Sequence, residues 1–87
     1  MEMNLVVNQV ALLFVAFSKK YPDCFCAVDR GKDYATISLF LNDSEIENID
    51  VEQYIDSLRV GESRVWINDD PESHLRVLHV EWEASED

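Results

Sequence analysis

CFCAVDRGKDYATISLFL, residues 24–41, is the stretch on which the fold turns. It reads as two strands, Cys24–Arg30 and Tyr34–Leu41, with the link Arg30-Gly31-Lys32 forming a hairpin turn in which Gly31 is expected to supply a positive φ. Side chains alternate across a strand, so Ala35, Ile37, Leu39 and Leu41 share one face of the second strand, and this apolar set is predicted to meet the core. Tyr34, Thr36, Ser38 and Phe40 occupy the other face, which is mixed in character.

Upstream of the hairpin lies the apolar run Leu5–Phe17. It is too short for the ~20 residues that a membrane-spanning helix needs, and Asn8 and Gln9 interrupt it. The run lacks Gly and Pro and continues through Lys19 and Lys20, which predicts a helix from Asn4 to Lys20. Asn4 is expected as its N-cap, the two lysines suit its C-terminus, and Tyr21-Pro22-Asp23 ends it.

Downstream, Val51, Tyr54, Ile55 and Leu58 recur at helical spacing. Asp50 is expected to cap this second helix, with Gln53 in the capping-box position, Ile49 and Tyr54 as a hydrophobic staple, and Gly61 just past the end. An earlier start at Ser44, paired with Glu47, is the competing possibility. Glu62–Asn68 and His74–Ala84 then read as strands joined by the turn 68–73, the second alternating Leu78, Val80 and Trp82 against His79, Glu81 and Glu83. The order is αββαββ. It predicts an α+β fold, a four-stranded, mainly antiparallel sheet with two helices packed on one face, forming one domain over residues 1–87 whose last few residues, within Glu81–Asp87, are free to fray.

The charge is segregated along the chain. Residues 1–33 carry Glu2, Asp23, Asp29 and Asp33 against Lys19, Lys20, Arg30 and Lys32 and sum to zero. From Tyr34 onward fourteen carboxylates face only Arg59, Arg64 and Arg76, so the formal charge of −11 belongs to this part. Such a polyanion repels nucleic-acid phosphates, disfavouring direct nucleic-acid binding, and attracts basic surfaces instead. Two cysteines in a Cys-x-Cys arrangement make no disulfide framework, and no basic region precedes the apolar run as in a signal peptide; the expectation is a cytoplasmic protein with reduced thiols.

Few residues present chemistry in a recognisable pattern. Cys24 and Cys26 share one strand face, but with His74 and His79 their spacing departs from zinc knuckles, and small buried thiols explain them better. Neither cysteine has a histidine tied to it by a known signature. The clusters Asn42–Glu45 and Asn68–Glu72 lack the central Gly and terminal Glu of calcium loops and follow ordinary turn chemistry. With Gly31 and Gly61 the only glycines, no phosphate-cradling loop exists. The expectation is a protein that is no enzyme and uses no metal or cofactor.

Two features carry more weight. On a helix Glu52 and Asp56 stand ~5–6 Å apart, and on a strand Glu81 and Glu83 ~6.6 Å, spacings that approximate successive nucleic-acid phosphates. Asp43, Glu45, Glu47, Glu52, Asp56, Asp69, Asp70 and Glu72 are therefore the candidate partner-binding residues, with Trp66, Tyr54 or Phe40 as a candidate aromatic anchor. The second feature is the first helix, where Leu5, Val6, Val10, Leu13, Phe14 and Phe17 form one stripe and Val7, Ala11, Leu12 and Val15 cover much of the remainder. A sheet covers one face of it; the rest must be covered by the second helix, a symmetry mate or another partner, and Val7, Ala11, Leu12 and Val15 are the candidate homodimer contacts.

In size and charge the chain resembles the small acidic inhibitors encoded by bacteriophages and other mobile elements, among them nucleic-acid mimics, anti-restriction and anti-CRISPR proteins. The resemblance is one of composition and carries no residue roles. It implies an inhibitor that presents carboxylates to the Arg/Lys channel of a nucleic-acid-binding enzyme. The competing expectation is a non-inhibitory acidic adaptor, immunity protein or regulatory subunit that dimerises through its first helix.

Overall fold

The computed structural model describes residues 3–58 and 62–83. Its elements are α1 (Met3–Lys20), β1 (Phe25–Arg30), β2 (Tyr34–Leu41), α2 (Asn48–Ser57), β3 (Arg64–Asp69) and β4 (Arg76–Glu83), an α+β fold. All pairings are antiparallel, in the order β1-β2-β4-β3. The two central strands come from different hairpins, and β1 and β3 form the edges.

Ala35, Ile37, Leu39 and Leu41 of β2 stand beside Leu78, Val80 and Trp82 of β4, and all seven are buried. Onto this face pack Val6, Val10, Leu13 and Phe17 of α1 and Val51 and Ile55 of α2, which closes the core. α1 lies over β1 and β2, and α2 packs beside it, Tyr54 against Phe17 and Tyr21, with Asn48 tied to Arg76 of β4. Trp82 is fully buried, and its indole N–H donates to Gln9 Oε1 at 3.1 Å, so the one polar atom of the largest core side chain is satisfied.

Five local expectations are corrected. No described glycine has a positive φ. The β1–β2 turn is closed by Gly31 N–H donating to Tyr34 O at 3.0 Å, and a Cβ on Gly31 would lie 2.0 Å from Tyr34 Cε1. Glycine is there for room under a ring. The left-handed residue is His74, φ 60°, in the β3–β4 turn.

α1 begins at Met3, so Asn4 lies inside its first turn rather than capping it. Leu5 and Phe14, assigned to the buried stripe, are exposed, because four residues at 3.6 spacing already fill the sheet-facing side.

α2 begins at Asn48 with Glu47 as N-cap and no side-chain cap, between the two expected starts. Ile49 is exposed, so the Ile49–Tyr54 staple does not form. Ile46, the residue before the cap, packs on the core instead, and that core includes Val51 in the fourth helical place. The expected stop at Gly61 and the strand end at Ala84 lie outside the described residues.

Candidate functional site: an acidic end with an aromatic pair

Leu41, Arg76 and Asp69 form one row across β2, β4 and β3. The loops that leave this end of the sheet carry most of the candidate carboxylates: Asp43, Glu45 and Glu47 between β2 and α2, and Asp69, Asp70 and Glu72 around the β3–β4 turn. Arg76 organises them. Its guanidinium donates to Ile46 O at 2.6 Å, to Asp43 O at 3.2 Å and to Asn48 Oδ1, which pins the connection and the start of α2 to the sheet.

These contacts occupy Arg76 with neutral oxygens, so the nearby carboxylates stay uncompensated. Among the described residues the one ion pair is Arg64–Glu81, 2.6 Å, on the sheet face away from the helices. Asp43, Glu45, Glu47, Glu52, Asp56, Asp69 and Glu72 are exposed and Asp70 is half-buried. Two of them also hold turns. Asp43 Oδ1 accepts from Glu45 N–H at 2.9 Å, and Asp70 Oδ2 accepts from Ser73 N–H at 3.0 Å. The bonds from Ser73 hold the Asp70 carboxyl below its ordinary value.

Glu52 and Asp56 sit apart from this cluster. At 100° per residue they fall on the flank of α2 opposite Tyr54, and Tyr54 faces α1, its hydroxyl donating to Ala16 O at 3.4 Å. They therefore point away from α1. Glu81 and Glu83, the strand pair with phosphate-like spacing, lie on the other face of the sheet, where Glu81 is bound to Arg64. The array is thus an acidic end, which reaches across to Phe25 of β1 and Phe40 of β2, plus an acidic flank on α2.

Of the three proposed anchors, Tyr54 is half-buried among Phe17 and Tyr21, with Lys20 over its ring. Trp66 stacks on His79, ring centroids 4.9 Å apart, beneath Arg64. Phe40 meets Phe25 across β1–β2, centroids 5.6 Å apart, and the pair borders a depression of about 450 Å³ with Asp70, Glu72, Ser73 and Leu75. Phe25 is 68 % exposed, and sequence reasoning missed it. The available signal was its register: Phe25 shares a face with Ala27 and Asp29, opposite the core.

His79 belongs to a polar trio on this helix-free face. Its Nε2 is 2.7 Å from Asn68 Oδ1 and its Nδ1 is 3.1 Å from Ser38 Oγ. If Oδ1 is the acceptor, Nε2 carries the proton and Nδ1 accepts from Ser38, which fixes one neutral tautomer. Cys26 points to the opposite, helix-covered face, so the cysteines and His79 do not converge. Among the described residues no three potential ligands cluster to hold a metal ion. Burial pushes the Cys26 thiol up to about 11, which leaves little thiolate at neutral pH.

The other exposed surface is apolar. Val7, Ala11, Phe14 and Val15 of α1 face Val28 and Arg30 of β1 across a groove of about 300 Å³. Leu12 is exposed but falls with Leu5 on the opposite flank of the helix. Three of the four candidate dimer contacts, Val7, Ala11 and Val15, are therefore brought together, with Phe14 added and Leu12 apart. No helix among the described residues is long and apolar enough to cross a membrane. No family model matches the chain, and no curated protein or solved structure matches it.

Proposed function

We propose that the protein is a stoichiometric inhibitor of a nucleic-acid-binding enzyme, of the anti-restriction or anti-CRISPR kind, whose carboxylates occupy the Arg/Lys channel of its target. The observation that carries this reading is the lack of internal compensation: Asp43, Glu45, Glu47, Glu52, Asp56, Asp69, Asp70 and Glu72 have no ion-pair partner among the described residues, although Arg76 lies within their cluster. Free carboxylates complement a cationic channel without first breaking bonds of their own. Phe25 and Phe40, beside Asp70 and Glu72, supply the desolvated contact that gives such an interface its lifetime.

The test is capture of partners from the source cell's lysate, with and without nuclease, followed by displacement with added DNA or RNA. An inhibitor of this kind yields a nucleic-acid enzyme that nucleic acid displaces. Replacing Glu45, Glu47, Glu52, Asp56, Asp69 and Glu72 by Lys is expected to weaken that binding about 100-fold or more, since like charges across an interface cost several kcal/mol. Asp43 and Asp70 are spared because they hold turns. Phe25→Ala is expected to cost about 2 kcal/mol of affinity, roughly 30-fold, with little loss of stability. Binding that survives the charge reversal sinks the reading.

The apolar face of α1 favours a second reading, an acidic adaptor, immunity protein or regulatory subunit that dimerises through this helix. Its partner would not be displaced by nucleic acid.

A further inference from the structure

We propose that two copies of the chain join edge to edge through β1, antiparallel and centred on Val28, to form one eight-stranded sheet with the two α1 helices side by side across the two-fold axis. The inference is independent of the inhibitor reading, because none of the candidate partner-binding carboxylates takes part in the contact.

Hydrogen bonding limits the register first. Gly31 N–H donates to Tyr34 O, and antiparallel pairs alternate between bonded and non-bonded, so Asp29, Ala27 and Phe25 exchange bonds with β2. Cys26, Val28 and Arg30 direct their N–H and C=O groups outward, along the edge of the sheet. Only registers that set these residues opposite one another form a ladder. Centring on Asp29 or Arg30 opposes like charges and shortens the overlap. With Val28 at the axis, Cys26 opposes Arg30 and Ala27 opposes Asp29, and no like charges meet.

Packing favours the same axis. Val28 is 48 % exposed and lines the groove with Val7, Ala11, Phe14 and Val15, so two copies bring two half-grooves together. Strands lie about 4.8 Å apart, and a helix over β1 and β2 stands about 5 Å from the axis. The two α1 helices are then about 10 Å apart, the spacing of packed helices. The open flank of each becomes core.

Charge selects a second copy over a surface contact elsewhere. α1 and β1 belong to residues 1–33, which sum to zero, whereas α2 and β3 belong to the remainder that carries the net charge. Joining at β1 puts the two β3 edges about 34 Å apart, far beyond a Debye length of about 8 Å. Two chains of charge −11 then meet through elements drawn from the third of the chain that carries no net charge.

Light scattering or sedimentation of the intact chain at about 100 μM is expected to give twice 10.1 kDa. Val28→Pro removes an outward N–H that β2 does not use, and Val15→Glu buries a charge in the joined helices; each is expected to return the mass to 10.1 kDa with an unchanged circular dichroism spectrum. Leu12→Glu, on the other flank, is expected to leave the doubled mass intact. If Val28→Pro unfolds the chain, Val15→Glu decides. Hydrogen exchange adds a register test, in which the amides of Cys26, Val28 and Arg30 gain protection as concentration rises while that of Ala27 is protected throughout. A mass of 10.1 kDa for the native chain, or a doubled mass that survives Val15→Glu, overturns the proposal, whatever the chain's effect on a basic partner.

Discussion

His79 stands between Ser38 and Asn68 with Trp66 stacked on its ring, and burial holds its imidazole below the ordinary 6.5 against the pull of the Asp70 and Glu81 carboxylates. The folded state therefore prefers the neutral ring, and the unfolded chain takes up the proton at a higher pH. The stability this provides is complete above 6.5 and is lost as pH falls through the lower folded value. Denaturant midpoints of the native chain and of His79→Gln, measured at about pH 7.5 and about pH 5.5, are expected to diverge, with the native chain losing more on acidification. Parallel losses would mean that His79 does not titrate with folding. The relief of carboxylate repulsion in acid acts on both proteins and cancels in the difference.

Elements explain what the sequence made legible. β2 kept its expected bounds because an alternation of eight residues leaves no other face for Ala35, Ile37, Leu39 and Leu41. The helices were legible as elements but not at their starts: the α2 start is fixed by Arg76, a residue 28 positions from Asn48, and no local cap signal encodes that contact. Gly31 looked like a conformational glycine because a positive φ and a close approach leave the same letter in the chain. The left-handed turn fell to His74, which carries no such mark. Of the candidate site, the acidic residues were legible by count, but their grouping around Arg76 and the exposure of Phe25 depend on register across three strands.

The two sides of α1 give a direct check at this scale. Leu13 is fully buried and Leu12 is 53 % exposed, although they are neighbours of identical chemistry. Leu13→Ala is expected to cost about 2–5 kcal/mol by leaving a cavity. Leu12→Ala is expected to stay within about 0.5 kcal/mol. Equal losses in chemical denaturation would contradict the orientation of the helix.

At the scale of the whole molecule, repulsion among uncompensated carboxylates opposes folding, and salt screens it. Raising sodium chloride from about 20 mM to about 200 mM is expected to raise the melting temperature, and the six-Lys variant at Glu45, Glu47, Glu52, Asp56, Asp69 and Glu72 is expected to respond less. A native chain whose melting is indifferent to salt would mean that the acidic side is too dispersed to strain the fold.

The order β1-β2-β4-β3 has one more consequence. Because the neutral third of the chain builds α1 and the edge strand β1 while the anionic remainder builds the other elements, charge is unevenly spread over each molecule, which gives it an electric dipole. Were the proposed basic partner to present a cationic surface, its field would turn the molecule before contact, carboxylates leading, and a larger share of chance encounters would begin in a usable orientation. Ionic strength then acts mainly on how often such encounters succeed, and much less on how long a formed complex endures.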